Sequence, residues 1–213
     1  MEKCNRTMIQ IKYQNNLPYA IIDDLYTDRE QQEIWSEIEY LCFKNNKLKG
    51  PDHTHSGTIT DNEGNTKYKK QNKGLVLDEI YNDRQISAIL THNRKIFSKD
   101  LVDDLISRHL LFKYIGLTNY DLTKLHLFLD GDHYLDHDDN AVFSVNTYFN
   151  NTPKKFKGGE LKIGEDIIEI KNNRTVIFPS ILRHEVLPVI LQDDQPKNGR
   201  IAISQFLFLG FRL

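Results

Sequence analysis

The residues best suited to chemistry lie in one short segment, 131–140, which reads G-D-H-Y-L-D-H-D-D-N. In an extended chain, residues i and i+2 project from the same face. His137 and Asp139 can therefore present a ring nitrogen and a carboxylate oxygen to one ion, whereas Asp138 points the other way. A lone H-x-D pair is common by chance, so this pair alone decides nothing.

Two later residues strengthen the pattern. His184 follows in F-P-S-I-L-R-H-E-V, and Arg200 follows in G-R-I-A-I-S. Two neutral imidazoles and one carboxylate form the facial triad of non-haem Fe(II) sites, which leaves positions on the ion open. Zinc more often takes sulfur or a third nitrogen. We therefore predict an iron site, with a degenerate or structural metal site as the alternative.

Five motifs in a fixed order carry a family resemblance. They are Y-L-D-H-D-D (134–139), V-N-T-Y-F-N (145–150), G-G-E-L (158–161), F-P-S-I-L-R-H-E-V (178–186) and G-R-I-A-I-S-Q-F-L-F (199–208). Through them, residues 120–209 resemble the prolyl 4-hydroxylase-like branch of the Fe(II)/2-oxoglutarate-dependent dioxygenase superfamily. The N-terminal half is similar only in outline, as strands and helices beside the core.

The resemblance implies a role for each motif residue. It implies that His137, Asp139 and His184 are both the catalytic residues and the iron ligands. It assigns Arg200 to the distal carboxylate of 2-oxoglutarate, and the hydroxyl of Tyr148 to the same carboxylate. The cofactors implied are Fe(II), 2-oxoglutarate as co-substrate, O2 and ascorbate.

The co-substrate site has one further candidate and two departures from the family pattern. Arginine suits its role because its planar fork can bind a carboxylate through two parallel hydrogen bonds. Ser204 shares a strand face with Arg200 and is a weaker cofactor-binding candidate. The stretch between His184 and Arg200 is longer than usual, and Leu127 or Phe128 stands where many relatives carry a second aromatic contact.

Other polar residues near these motifs have simpler explanations. His133 is interpreted as a loop residue, as are His53 and His55. Arg183 precedes a candidate ligand and should project from the opposite face, where Glu185 or solvent would be its partner.

The expected activity is hydroxylation of a prolyl or other residue in a peptide or protein, with release of succinate and CO2. The same chemistry on a free amino acid or small metabolite is an alternative. Demethylation of nucleic acid is a further alternative, which the net charge of −2 disfavours. A non-catalytic binding module that keeps the fold is the alternative from another class.

The first half of the chain predicts strands and helices that support this site. The runs Met8–Tyr13 and Tyr19–Ile22 are β-prone, and Thr27 with Glu30 forms a capping-box pattern ahead of a helix of about four turns. Residues 50–74 are polar and predict a hairpin around Gly64, either a lid over the site or a surface loop. Two further helical patterns follow.

From residue 120 onward, short segments of alternating polarity follow one another without intervening helices. This pattern predicts an α+β fold with a double-stranded β-helix (jelly-roll) core and N-terminal flanking helices. Residues 1–213 should form a single oxygenase domain. Within it, residues 1–118 would supply strands, helices and a possible lid at 50–74, and residues 119–213 the metal-binding core.

Composition limits the cellular setting and the partners. The sequence shows no apolar run long enough to cross a bilayer and no secretory signal, and Cys4 and Cys42 are too few for a disulfide framework. We therefore expect a cytoplasmic protein. The basic segments Lys67–Lys73 and Lys154–Lys157 are interpreted as solvated loops, with contact to an acidic partner as the alternative.

Overall fold

Strands dominate the second half of the chain in the computed structural model, which describes residues 7–210. The strands are β1 (Met8–Gln14), β2 (Leu17–Asp23), β3 (Thr58–Thr60), β4 (Thr66–Tyr68), β5 (Lys73–Val76), β6 (Tyr120–Phe128), β7 (Tyr134–His137), β8 (Phe143–Phe149), β9 (Phe156–Gly158), β10 (Leu161–Ile163), β11 (Asp166–Ile168), β12 (Arg174–Pro179), β13 (His184–Val186), β14 (Val189–Leu191) and β15 (Arg200–Phe208).

All but one of the helices in the described part of the chain lie between β2 and β6. The helices are α1 (Asp28–Ile38), α2 (Leu77–Ile80), α3 (Ala88–His92) and α4 (Lys99–Arg108), together with a π-helix (Glu39–Lys44) and 3₁₀ helices at Pro51–His53, Arg84–Ile86, Asn93–Phe97, Leu110–Leu117 and Pro196–Asn198. None of the helices in residues 7–210 is long and apolar enough to cross a membrane.

Two larger sheets form the core, and β9 with β14 and β3 with β4 form two-stranded sheets beside them. Within residues 7–210, seven strands form a major sheet in the order β1-β2-β12-β8-β15-β6-β5, and four form a minor sheet in the order β11-β10-β13-β7. All neighbouring strands are antiparallel. This arrangement confirms the predicted α+β fold with a jelly-roll core, and the core is not a closed barrel.

Alternation along the strands divides the core in two. Ile177 and Ile203 point to one face of the major sheet, where they share a buried cluster with Ile34 of α1. Their chain neighbours Val176 and Ala202 point to the other face, in a second cluster that includes residues of the minor sheet. The helices thus support the back of the major sheet. Its front is left for the space between the sheets.

The start of α1 is capped as the sequence predicts. The hydroxyl of Thr27 accepts a hydrogen bond from the Glu30 amide at 3.3 Å, and the Glu30 carboxylate accepts one from the Thr27 amide at 2.7 Å. Both halves of the capping box are therefore present. The helical path then continues through the π-helix to Lys44, which matches the predicted length.

The excursion at residues 50–74 contains the predicted hairpin but is more firmly anchored than the sequence suggests. Strands β3 and β4 pair on either side of Gly64, whose φ is +84°. Thr54 and Asn72 are fully buried, and Lys70 is only 1% exposed. The interpretation of Lys67–Lys73 as a solvated loop is therefore wrong at Lys70, because this part of the excursion packs against the core.

Replacing Thr27 by alanine should destabilise the protein by about 1 kcal/mol, since one amide at the start of α1 would lose its acceptor. Thermal and urea unfolding would measure the change. Thr66→Ala, at an exposed position of β4, is the matched control and should leave the midpoint within error. Equal effects of the two substitutions would contradict a stabilising role of the cap.

Candidate metal centre

His137 and His184 are brought together by strand pairing. They are direct partners in the antiparallel register of β7 and β13, and their ring centroids are 4.2 Å apart. Each Nδ1 lies within hydrogen-bond distance of the carbonyl two residues earlier, Leu135 at 2.8 Å and Leu182 at 2.9 Å. Because a carbonyl can only accept, each Nδ1 carries the proton, and each Nε2 keeps a free lone pair for a metal.

Asp139 is positioned at the site by contacts other than the predicted strand geometry. Strand β7 ends at His137, so the side-by-side placement on one strand is wrong for Asp139. Its amide instead donates to the carbonyl of Ser180 at 3.0 Å, and its carboxylate accepts from the hydroxyl of Ser144 at 2.6 Å. Residues next to β12 and on β8 therefore fix the third candidate ligand.

The donor atoms of these three residues converge on one point. The Nε2 atom of His184 lies 3.4 Å from one Asp139 oxygen, and Nε2 of His137 lies 3.7 Å from the other. All three candidate ligand atoms fall within 4.8 Å of one another. Atoms bound to one ion at right angles and at about 2.1 Å lie about 3 Å apart. Only small side-chain movements separate this arrangement from a closed site.

The protonation states also suit a cation. Burial, followed by the neighbouring His184, lowers the pKa of His137 to about 4, so its ring is neutral at neutral pH. Burial alone would raise the pKa of Asp139, but its contacts with the imidazoles of His184 and His137 and the hydrogen bond from Ser144 lower it overall. The Asp139 carboxylate is therefore ionised. A neutral imidazole and a carboxylate are the forms that bind metal.

Aromatic rings hold both imidazoles in place. Tyr134 stacks on His137 with a centroid distance of 3.6 Å and an interplanar angle of 17°. Phe178 meets His184 edge-on at 4.7 Å. Since rotamer freedom of a ligand weakens a metal site, these contacts keep the two rings near their binding orientation.

Arg200 lies in the same cavity without an anionic partner. It is 2% exposed, and its guanidinium carbon lies 4.6 Å from the ring centroid of Phe128 and 4.9 Å from that of Tyr148. Its Nε donates to the Gly159 carbonyl at 2.7 Å. No carboxylate of the described residues lies within 4.0 Å of it. Burial lowers the pKa of Arg200 to about 10, so it stays charged at neutral pH.

The hydroxyl of Tyr148 also lacks a polar partner in the described part of the chain. It is fully buried and has no hydrogen-bond partner within residues 7–210. A buried hydroxyl without a partner costs about 1–3 kcal/mol, and a buried unpaired charge costs more. A carboxylate placed beside Arg200 would supply the missing counter-charge, and the ring of Tyr148 packs against the same guanidinium. These residues therefore fit one end of a dicarboxylic acid.

The G-G-E-L motif has a steric explanation. Gly158 and Gly159 have φ values of +70° and +69°. A Cβ on Gly158 would lie 2.1 Å from the Pro188 carbonyl oxygen, and one on Gly159 would lie 2.8 Å from Cδ of Arg200. Only glycine allows the backbone to approach the arginine this closely.

One cavity of about 470 Å³ connects the triad with Arg200. This volume is within the range of small-molecule sites. Ser204 lines the same cavity four residues along β15 from Arg200, opposite Lys124 of β6 and Asn146 of β8. The structure therefore places Ser204 away from the arginine, and its assignment to the co-substrate stays a prediction.

Sequence reasoning missed two cavity residues of β6. Lys124 and His126 line the cavity from alternate positions of an otherwise largely apolar strand. That alternation is a signal that could have found them. Leu127 points into the opposite core, and Phe128 lies against Arg200. His126 therefore occupies the cavity face on the strand where an aromatic contact was sought.

Arg183 has a different partner from the one predicted. Its Nε donates to the carboxylate of Asp136 at 2.6 Å, because the pairing of β13 with β7 brings these two residues together. Glu185 is bound instead by Lys162 at 2.8 Å. The expected pairing of Arg183 with Glu185 is therefore wrong.

Comparison with known proteins gives a family match for the β-rich half of the chain. Residues 121–208 match the profile of the 2OG-Fe(II) oxygenase superfamily. The sequence has no significant match among curated proteins. The matched stretch contains the three convergent residues and Arg200.

Solved structures share the fold at low sequence identity. A Pseudomonas putida prolyl-4-hydroxylase is 14% identical with a TM-score of 0.57, over 90% of this chain and 93% of that one. A Phytophthora capsici prolyl 4-hydroxylase is 17% identical with a TM-score of 0.56, over 89% and 58%. A Burkholderia pseudomallei 2OG-Fe(II) oxygenase family protein is 14% identical with a TM-score of 0.54, over 89% and 84%. At these identities the likeness concerns the fold alone.

Gly159→Ala should displace Arg200, because the new methyl group would meet its side chain, and should weaken 2-oxoglutarate binding at least tenfold. Backbone strain and overpacking should also cost about 1–3 kcal/mol of stability. Gly64→Ala is the matched control, since it has a positive φ but no atom within 4 Å. Calorimetric titration with 2-oxoglutarate would compare the affinities of the Gly159→Ala and Gly64→Ala variants. An equal loss of affinity in both variants would contradict the steric explanation.

Proposed function

We propose that the protein is an Fe(II)- and 2-oxoglutarate-dependent dioxygenase. In the proposed reaction, 2-oxoglutarate, O2 and a substrate C–H group give succinate, CO2 and the corresponding alcohol. One oxygen atom enters succinate and the other enters the substrate. The superfamily match of residues 121–208 supports this reaction class.

His137, Asp139 and His184 would hold the iron through two Nε2 atoms and one carboxylate oxygen. Iron with 2-oxoglutarate and O2 supplies the oxidising power that amino-acid side chains lack. The protein's own contribution is positional. The hydrogen bonds to Leu135 and Leu182 orient the two rings.

The observation that carries the proposal is the buried Arg200, which shares one cavity with the triad and has no carboxylate partner among the described residues. The ring of Tyr148, whose hydroxyl has no hydrogen-bond partner within residues 7–210, packs against the Arg200 guanidinium. Together they would bind the distal carboxylate of 2-oxoglutarate. Phe128 and Leu161 line the same cavity, so apolar surface limits the access of water to the reacting groups.

For the substrate, we propose a prolyl or other residue of a peptide or protein. Two solved structures with this fold are described as prolyl 4-hydroxylases, which supports this choice. A free amino acid or small metabolite is the alternative. We further propose that residues 1–213 act as one domain, with the metal-binding core in 119–213. Ascorbate would keep the iron reduced.

His137→Ala should abolish turnover, because the remaining two ligands cannot hold iron in a productive geometry. The measurement is succinate release from 2-oxoglutarate with Fe(II) and ascorbate, combined with mass spectrometry of a peptide library and of free amino acids for a gain of one oxygen. His133→Ala, at a half-buried histidine nearby whose Nδ1 lies 3.1 Å from the Gly131 carbonyl, should retain activity. Undiminished succinate release by His137→Ala would refute the proposed centre.

Arg200→Met should raise the KM for 2-oxoglutarate about 100-fold, since truncating one partner of a buried charge pair costs 2–5 kcal/mol or more. Arg200→Lys should recover only part of the loss, because lysine keeps the charge but not the fork. Arg108→Met, which removes an exposed arginine of α4, is the control. An unchanged KM in Arg200→Met would exclude this residue as the carboxylate anchor.

A further inference from the structure

Two buried lysines meet at the edge of the cavity. Lys70, from the excursion, is 1% exposed, and Lys124, from β6, is 9% exposed. Both ammonium groups donate to the same acceptor, the carbonyl of Thr54, at 2.9 and 3.1 Å. No carboxylate of residues 7–210 lies within 4.0 Å of either. The two ammonium groups are thus held side by side with no carboxylate of the described residues in contact with them.

The Thr54 carbonyl cannot accept hydrogen bonds from all the N–H donors of the two ammonium groups. Each ammonium group has three N–H donors, whereas a carbonyl oxygen has two lone pairs, both of which are used here. The remaining donors have no acceptor within the described part of the chain. Lys70 and Lys124 both line the cavity that contains the metal triad. An acceptor for their free N–H donors can therefore bind in this cavity.

The lowered pKa of each lysine agrees with this geometry. Burial, followed by the charge of Lys124, lowers the pKa of Lys70 to about 7, while the Asp139 carboxylate opposes the shift. Burial also lowers the pKa of Lys124. Paired lysines inside a protein normally have acidic partners, because an unpaired buried charge is destabilising. An anionic ligand would relieve this cost.

The co-substrate does not account for these lysines. Lys124 lies opposite Ser204 in the register of β6 and β15, whereas Arg200 lies opposite Phe128. Four residues along a strand span about 13 Å, and the end carbons of a five-carbon diacid are only about 5 Å apart. With one 2-oxoglutarate carboxylate at Arg200 and the other on the metal, both of its charged ends are already bound.

We propose that Lys70 and Lys124 bind a carboxylate group of the substrate. The two ammonium groups are at most about 6 Å apart, because both contact one oxygen. They can therefore each reach one oxygen of the same carboxylate. Ser204 and Asn146 continue this polar row across β15 and β8. The inference rests on the proposed dioxygenase function and specifies the substrate as an acid.

The test compares acids with their neutral amides. Free amino acids would be paired with their α-amides, peptides with free C termini with their amidated forms, and peptides containing Asp or Glu with those containing Asn or Gln. Succinate release and the gain of one oxygen would be measured for each pair. We expect an acid to be preferred over its amide by about tenfold or more, the loss of one charged hydrogen-bonded pair. The preferred pair identifies the carboxylate as that of a free amino acid, a C terminus or a side chain.

Substitutions of Lys70 and Lys124 test whether these lysines cause the preference for acids over amides. Lys70→Met and Lys124→Met should reduce it to threefold or less, and Lys70→Gln and Lys124→Gln provide a second set if the methionine variants fold poorly. Lys67→Met is the matched control, because this exposed lysine of the same excursion is paired with Asp61 at 2.9 Å. It should keep the full preference. Retained preference in the Lys70 and Lys124 variants would overturn the proposal.

Calorimetric titration with 2-oxoglutarate separates this proposal from the proposed function. The Lys70 and Lys124 variants should bind 2-oxoglutarate within twofold of the unchanged protein. A tenfold loss would assign the lysines to the co-substrate and overturn the proposal. Equal use of acids and amides, or preference for phosphorylated compounds, would overturn it while leaving the dioxygenase intact. If the metal-loaded protein neither bound nor consumed 2-oxoglutarate, both the proposed dioxygenase function and the proposal for the lysines would be refuted.

Discussion

The site depends on one cross-strand pair, His137 opposite His184 in the short ladder between β7 and β13. Because side chains alternate along strands, a shift of one residue in this register would turn one imidazole away from the cavity. The flanking contacts restrain the pair. Tyr134 and Phe178 hold the rings, and backbone carbonyls fix which nitrogen of each ring faces the third candidate ligand, Asp139. The major sheet and its helices provide the rigid base on which this small ladder rests.

Positive charge characterises the cavity around that pair. Arg200 lies at one end of the cavity-facing rows of the major sheet, and Lys124, with Lys70 above it, lies further along. The carboxylates of Asp138 and Asp139 line the same cavity, and that of Asp139 would be neutralised in part by a divalent ion. The arrangement is therefore complementary to acids at two separate places. This attraction for anions is local to the cavity, because the net charge of the whole chain is −2.

Local signals in the sequence were sufficient for part of the structure. The capping box at Thr27 involves residues three apart, and residue types and order predicted that His137, His184 and Arg200 share one site. The sequence could not show how Asp139 is placed, because its supports come from β8 and the turn after β12. The meeting of two lysines at one carbonyl also depends on how a long excursion packs on the sheet. Such contacts join distant parts of the chain and leave no periodic pattern.

The shortness of the minor sheet has a consequence for how the protein acquires its metal. Strands β7 and β13 have four and three residues, and each supplies one imidazole. Unfolded chains hold these imidazoles far apart, so an ion that binds only the paired strands shifts the equilibrium toward the assembled ladder.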